Sequence, residues 1–378
     1  MNKKSFVHDA TQCTLCGRCL EVCPLFKLTQ HEELSPRGKA FLLQKISMLN
    51  ISAVEASTLA GLCLGCAKCA TVCPQQINLP LKISRLKAAH PRWQDWIWSR
   101  MLLRSTLFLP LLRFSKDLLP GLHPILEAIG PVPGNISAPL KLKTSATEQN
   151  REAVVFPGCF GRFLRPDLEH KARAVLSSLG FNLLPTPEWQ CCGFALLQAG
   201  FLDREASCRL TNFNIWEGLG RPRIYTFCAT CMQGLEGKLS PDVQTGSQKM
   251  FVRSIRSLSE LIPRLSLESA AGSSETQLIW HTPCHGSEKT GSALKKLLNM
   301  HHMDVSLSST QCCGLGGAFR LQNKKMSLDL AYQRWHNLHP SDDAHCLTEC
   351  SGCILQLGST RPIGVQVSHW LDLFEQAL

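Results

Sequence analysis

Cysteine is the residue through which this chain can do chemistry. Cys13, Cys16, Cys19 and Cys23 form a C-x2-C-x2-C-x3-C run closed by Pro24, and the same spacing returns at Cys63, Cys66, Cys69 and Cys73, closed by Pro74. Four thiolates packed so tightly wrap an iron-sulfur cubane, whereas structural zinc more often draws on two separated pairs. In paired runs of this kind the fourth cysteine crosses over. One [4Fe-4S] cluster is therefore expected on Cys13, Cys16, Cys19 and Cys73, and the other on Cys63, Cys66, Cys69 and Cys23. Crossed ligation ties both runs into one unit, and metal binding is expected to stabilise a module whose own apolar core is small.

A second pattern occupies the rest of the chain. Cys191 and Cys192 stand side by side in WQCCGF, and Cys312 and Cys313 do so in TQCCGLGG. Neighbouring Cα atoms lie ~3.8 Å apart, below the roughly 4.4 to 6.8 Å that a relaxed disulfide spans, so a bridge within either doublet is not expected. Each doublet belongs to a repeated set: Cys159, Cys191, Cys192, Cys228 and Cys231, then Cys284, Cys312, Cys313, Cys350 and Cys353. Two thiolates on a tight loop suit different irons of one cluster, with Gly193 and Gly314 letting the backbone approach. A zinc site with a surplus thiol, or a set that binds nothing, is the competing reading, but tetrahedral zinc has no use for five thiolates. Of the 20 cysteines only Cys208 and Cys346 fall outside these sets. Both read as small packed residues, with Cys346 close enough to Cys350 to serve as an alternative ligand.

The elements that must position these residues are legible in outline. VVFPGC and LIWHTPC are short apolar runs that read as buried strands, each delivering a cysteine to a loop. Long helical stretches follow both doublets, a strand precedes each C-x-x-C, and each half closes with a short strand and helix. The alternation predicts two tandem α/β domains over 151–268 and 276–378. They follow an α-helical dicluster module over 1–88 and a helical linker over 89–150, giving a multidomain α+β and α/β chain. The stretch SLESAAGSSETQ, Ser/Gly-rich and polar, joins the two halves. In LSPRGKAFLLQKI, Ser35 is placed as an N-cap and Pro36 at the first helical position, with Arg37 and Lys39 as exposed charges or a docking point.

Composition excludes several classes. With 378 residues and 44% hydrophobic content, disorder is excluded and two or three domains are expected. The opening MNKKSFVHDATQC has no apolar secretory core, so the thiols are expected in a reducing compartment, where clustered cysteines mean metal. The net charge of +11 is spread along the chain and only two Tyr are present for stacking, which argues against nucleic acid. Between Trp93 and Ile129 runs a Trp- and Leu-rich stretch, interrupted by Arg100, Arg104, Arg113 and Lys116. It is too broken to span a bilayer, and either packs as helices or lies against a membrane partner. No strand leads into G-x-G-x-x-G, so no dinucleotide or flavin fold is indicated. His281, His285, His301 and His302 have no carboxylate partner in a shared motif and read as supporting or surface residues, with His285 placed to hydrogen-bond a cluster sulfur.

The tandem runs, the SPRG at Ser35 to Gly38, both CCG trios and the closing HWLDLFEQAL resemble, over the whole chain, the family of glycolate oxidase iron-sulfur subunits. That family lies in the wider group sharing cysteine-rich CCG domains with heterodisulfide reductase. The resemblance implies an electron-transfer subunit without a catalytic residue of its own. An FAD-containing partner would oxidise a 2-hydroxy acid such as glycolate or D-lactate, and a quinone or membrane acceptor would take the electrons. It implies a cytoplasmic location, with peripheral association on the cytoplasmic face of the inner membrane. It further implies that each complete five-cysteine set can hold a noncubane [4Fe-4S] cluster, giving one or two beyond the cubanes. Both sets are intact here although some relatives have one incomplete, so a disulfide reductase acting at a CCG-bound cluster is the alternative.

Overall fold

The computed structural model describes residues 13–46, 52–91, 93, 96, 140–145, 147–148, 151–237, 246–268 and 276–374. The N-terminal module is helical: α1 (Pro24–Thr29), α2 (Pro36–Ile46), α3 (Ala53–Gly61), α4 (Lys68–Thr71) and α5 (Leu79–Ala89). Prolines open α1, α2 and α5, where a missing N–H costs nothing. Ser35 caps α2 by accepting from Gly38 N–H at 2.8 Å, and Ser52 with Glu55 forms a capping box on α3. The module's own core is modest, with Ala40, Ala56, Ala60, Leu79, Ile83 and Leu86 buried together.

Each following half is a four-stranded parallel sheet. The strands are β1 (Leu142–Lys143), β2 (Glu152–Phe156), β3 (Asn182–Leu183), β4 (Arg223–Thr226), β5 (Ile255–Ser257), β6 (Ser266–Leu267), β7 (Leu278–Trp280), β8 (Val305–Leu307), β9 (His345–Thr348) and β10 (Gln366–His369). The sheet orders are β3-β2-β4-β5 and β8-β7-β9-β10, one topology used twice. Register places Val154 beside Ile224 and Ile224 beside Ile255. In the second sheet Ile279 lies beside Cys346 and Cys346 beside Val367. Parallel sheets are covered on both faces, which is why these strands are apolar runs rather than alternating ones. The covering helices are α6 (Gly158–Phe163), α7 (Asp167–Ser178), α8 (Phe194–Gln198), α9 (Leu202–Gly218), α10 (Ala229–Leu235) and α11 (Gly246–Ser254) in the first half. In the second they are α12 (Glu288–Asn299), α13 (Phe319–Gln322), α14 (Lys324–Leu338) and α15 (Ser351–Thr360).

The halves share one core: Val155, Tyr225, Phe227, Leu258 and Ile262 of the first are buried with Trp280, Leu294, Leu347, Ile354 and Trp370 of the second. The contacts are reciprocal. The 3-10 turn Trp370–Leu373 follows His369, whose Nε2 meets the Phe227 carbonyl at 2.9 Å. The 3-10 turn Leu258–Arg264 of the first half sends Ser259 Oγ to donate to Glu349 of the second. Phe227 and Glu349 each immediately precede a C-x-x-C.

Most of the expected helical linker, including the Trp93 to Ile129 stretch, lies outside the described residues apart from exposed Trp93 and Trp96. Its described end is not helical. Leu142 and Lys143 form β1, antiparallel to Leu267 and Ser266 of β6, and Leu140 N–H donates to Leu373 O at 2.6 Å. Leu140 and Leu142 both pack on the shared core, the period of two that a strand satisfies.

Candidate metal centres

In the N-terminal module, Cys13, Cys16, Cys19 and Cys73 line one cavity of about 30 Å3, and Cys23, Cys63, Cys66 and Cys69 line another of about 30 Å3. The chain curls to bring them there. Leu15 (φ 56°) and Gly17 (φ 80°) in the first run, and Gly65 (φ 68°) and Ala67 (φ 59°) in the second, are all left-handed. Two of these four carry a Cβ, a strain that persists where the surroundings over-determine the loop.

Charge around these cavities differs from the sequence expectation. Arg37 stays partly exposed and donates to Glu32 at 2.8 and 3.1 Å. Lys39 does not: it is buried, donates from Nζ to Leu34 O at 2.6 Å and lines the cavity of Cys23, Cys63, Cys66 and Cys69. It lies one turn beyond the N-cap on the face that α2 turns inward. Burial raises the Cys23 and Cys69 thiols, and the Lys39 charge pulls both the other way. A buried ammonium beside four sulfurs suits an anionic occupant.

The ten thiols of the two five-cysteine sets meet across the boundary between the halves. All of them line one cavity of about 190 Å3 between the halves, with Thr230, His285 and Ser351 among its few polar side chains. Topology explains the convergence. In each sheet the first strand lies between the second and third, so the crevice of the switch point opens beyond the carboxyl ends of β2 and β4, or of β7 and β9. Cys159 and Cys228 follow β2 and β4; Cys284 and Cys350 follow β7 and β9. The two crevices face each other. Cys228 and Cys350 hydrogen-bond across the boundary, Thr230 Oγ1 lies 3.2 Å from Cys350 Sγ, and Ala229 N–H donates to Glu349 O at 2.9 Å.

In each half the second thiol of the doublet is held toward the thiolate, and in the first half Cys228 is as well, by hydrogen bonds from Cys231 and Cys350. Cys192 is pushed well below the usual thiol range by hydrogen bonds from Cys191 and Cys231. Cys313 falls to about 6 through the same bonds from Cys312 and Cys353. Burial instead lifts Cys159 to about 12. Ligands must lose their protons, so metal binding here would release protons. Cys191 Sγ accepts from Gly193 N–H at 3.5 Å and Cys312 Sγ from Gly314 N–H at 3.4 Å. The glycines have a further use: a Cβ on Gly193 would sit 2.9 Å from Glu205 Cγ in α9, and one on Gly314 2.5 Å from Ser327 O in α14. The close approach is to the helix behind the doublet.

Cys208, within α9, and Cys346, within β9, are buried and off the cavity, and burial raises them to about 11 and about 12. His285 lines the cavity, edge-on to Phe194 at 4.8 Å, and hydrogen-bonds Cys284. His281 is buried and accepts at Nδ1 from Arg334 Nε at 2.9 Å, while His301 and His302 form a surface turn. The spacing gives no sign of Arg334, a buried guanidinium that also donates to Gln311 at 2.9 Å and to Ser308. Burial lowers its pKa, with the sulfurs of Cys346, Cys353 and Cys313 acting against that.

Among the described residues no three His, Cys, Asp or Glu side chains are arranged to hold a single metal ion. Thiols spread around cavities suit a polynuclear cluster and not one zinc. The family comparisons agree: residues 9–77 match the 4Fe-4S dicluster domain, and residues 153–236 and 278–358 match the cysteine-rich domain. Fold and thiols together define an iron-sulfur electron-transfer protein. The chain belongs to the family of iron-sulfur subunits that join a 4Fe-4S dicluster domain to two cysteine-rich domains, of which glycolate oxidase iron-sulfur subunits are members. It is 23% identical to the glycolate oxidase iron-sulfur subunit of Escherichia coli (strain K12) over 97% of this chain and 93% of that protein. With a subunit of the fumarate reductase (CoM/CoB) of Methanothermobacter marburgensis it shares 24% identity over 97% of this chain and 72% of that one. With a subunit of the anaerobic glycerol-3-phosphate dehydrogenase of the same Escherichia coli strain it shares 25% identity over 60% of this chain, spanning 59% of that protein.

Proposed function

We propose that this chain is the electron-transfer subunit of a flavin-linked 2-hydroxy acid dehydrogenase, carrying electrons from an FAD-containing partner that oxidises glycolate or D-lactate to a quinone-type acceptor. Bound iron-sulfur clusters would supply one-electron chemistry. Cys13, Cys16, Cys19 and Cys73 would hold one [4Fe-4S] cluster and Cys23, Cys63, Cys66 and Cys69 a second. The two five-cysteine sets would hold one or two more, of noncubane type. Lys39 offsets negative charge at the second site, and Arg334 does so behind Cys313 and Cys353. The observation that carries the reading is continuity: Leu64 is at once a wall of the Cys23 cavity and of the ten-thiol cavity. No helix among the described residues is long and apolar enough to cross a membrane, and a peripheral position on the cytoplasmic face fits a membrane acceptor.

Iron and acid-labile sulfide analysis of the anaerobically purified chain tests the reading, with more iron expected than two cubanes contain. Iron limited to the dicluster, with stoichiometric zinc, would remove the cysteine-rich halves from the relay. Substrate should reduce the clusters only when the flavoprotein is present. A second reading, disulfide reduction, is favoured by the placing of two complete thiol sets around one cavity. Turnover of a disulfide by the isolated, dye-reduced chain would select it.

A further inference from the structure

Gln198 ends α8, six residues beyond Cys192, and no cysteine spacing singles it out. Its side chain is buried where all three modules meet. Nε2 donates to Leu64 O at 2.9 Å, in the loop between Cys63 and Cys66. The glutamine's own carbonyl accepts from Lys87 Nζ of α5 at 3.1 Å. On its other side a Cβ at Gly317, in the second half's CCGLGG loop, would stand 2.7 Å from its Oε1, and a Cβ at Gly65 would collide with its Nε2. One amide from the first half is thus clasped between the second-cluster loop of the dicluster module and the doublet loop of the second half.

Two thiols of the second half reach this junction. Cys23, Leu64, Cys312 and Phe319 are buried in one cluster with Cys284 packed against it. The first half meets the module differently, through Leu81 of α5 against Phe194 and Leu197 of α8. Ala67 and one first-half thiol, Cys192, pack against that cluster, but none of the module's own thiols lies in it, whereas Cys312 and Cys284 share theirs with Cys23.

We propose that Gln198 is the positioning residue for the crossing between the dicluster module and the cysteine-rich pair, and that the crossing enters the second half. The inference rests on the electron-relay reading above. One electron passes from the Cys23, Cys63, Cys66 and Cys69 site to the Cys284, Cys312, Cys313, Cys350 and Cys353 site, with no bond made or broken. The flavoprotein is its source.

The test uses the full holo-chain, reduced with dithionite and observed by electron paramagnetic resonance, with iron content measured on every sample. Gln198→Met keeps the side chain's length and removes its donor; Gln198→Ala is the second variant. Magnetic broadening of the dicluster signal by a reduced neighbour is expected in the parent chain. It should be lost or weakened in both variants at unchanged iron content. Electron redistribution after substoichiometric reduction should slow by about fivefold or more, the population change that one lost buried hydrogen bond produces. Asn323→Ala removes a bond to the same module, to Gly61 O at 3.1 Å at the end of α3 and not to the Cys63–Cys66 loop itself, and should leave the broadening intact. Cys313→Ser should abolish the broadening and Cys192→Ser should spare it. Unchanged broadening and rate in both Gln198 variants would overturn the positioning role, as would iron loss from them without a change in coupling. Broadening that depends on Cys192 and not on Cys313 would overturn the choice of half. A parent chain with iron in the dicluster alone would instead overturn the relay reading itself.

Discussion

The two cysteine-rich halves present the same five thiols from the same sheet topology, yet the groups behind those thiols differ. In the first half Asn212 holds the doublet loop, accepting from Gln190 N–H at 2.8 Å and donating to Cys191 O at 3.2 Å. At the same place in the long helix of the second half stands Arg334, bonded to Gln311, His281 and Ser308. The residue after the first cysteine is Phe160 in one half and His285 in the other. In the closing turn, Glu260 is exposed, whereas Asp372 is buried and receives Arg165 at 2.6 Å and Lys171 at 2.8 Å from the first half. Duplication has kept the placing of the thiols and let the electrostatics diverge. Identical ligands in different fields have different potentials, because hydrogen bonds and nearby charge tune an iron-sulfur site as much as its ligands do.

The largest expected effect compares the closing turns. Asp372→Ala removes the buried carboxylate shared by Arg165 and Lys171, leaving both with only the partly exposed Asp167, and should cost about 3 kcal/mol in denaturant unfolding. Glu260→Ala, at the matching exposed position, should stay within about 0.5 kcal/mol. Equal costs would mean that the buried network does not hold the halves together.

Acid should come next. His369 is fully buried and neutral, and burial depresses its pKa from 6.5 to about 4. The unfolded chain binds the proton first, so stability present above pH 6.5 is lost as pH falls toward 4, by up to about 3 kcal/mol. Glu349 acts in the opposite sense. Burial raises it to about 7, so its destabilising charge is relieved on acidification. Comparing the parent chain with His369→Gln at pH 7 and pH 5 cancels the Glu349 contribution, and the parent should lose more stability than the variant.

A smaller effect probes the divergent field. If the second half holds a cluster as proposed, Arg334→Met should shift it to lower potential in a redox titration and leave one on the first half's thiols unchanged, since the lost cation lies behind Cys313 and Cys353. Asn212→Ala should cost about 1–2 kcal/mol through the unpaired Gln190 N–H, with little change in potential. The smallest effects belong to Cys208→Ala and Cys346→Ala. Each should cost below about 2 kcal/mol and leave iron content untouched, as expected of packed thiols. Iron loss in Cys346→Ala would instead make it a ligand.

The reach of the sequence differs from element to element. Buried parallel strands are readable in VVFPGC and LIWHTPC because a run of apolar residues before a turn has few other uses. The N-cap at Ser35 is readable because capping is local, and the left-over status of Cys208 and Cys346 follows from counting. Lys39 reads as an exposed charge and is buried, since which face of α2 turns inward depends on partners far along the chain. The end of the linker reads as helical and is a strand, since β1 exists only against β6.

What the sequence by itself determined is therefore the grouping of the thiols, four in each of two short runs and five in each of two repeated sets, because those positions are fixed whatever surrounds them. What only the tertiary structure decided is which sets face each other. The joining of two five-cysteine sets around one cavity, the wall at Leu64 and the clasp at Gln198 all depend on contacts between modules distant in the chain. Such contacts arise from shape and burial across whole surfaces, and no local pattern records them.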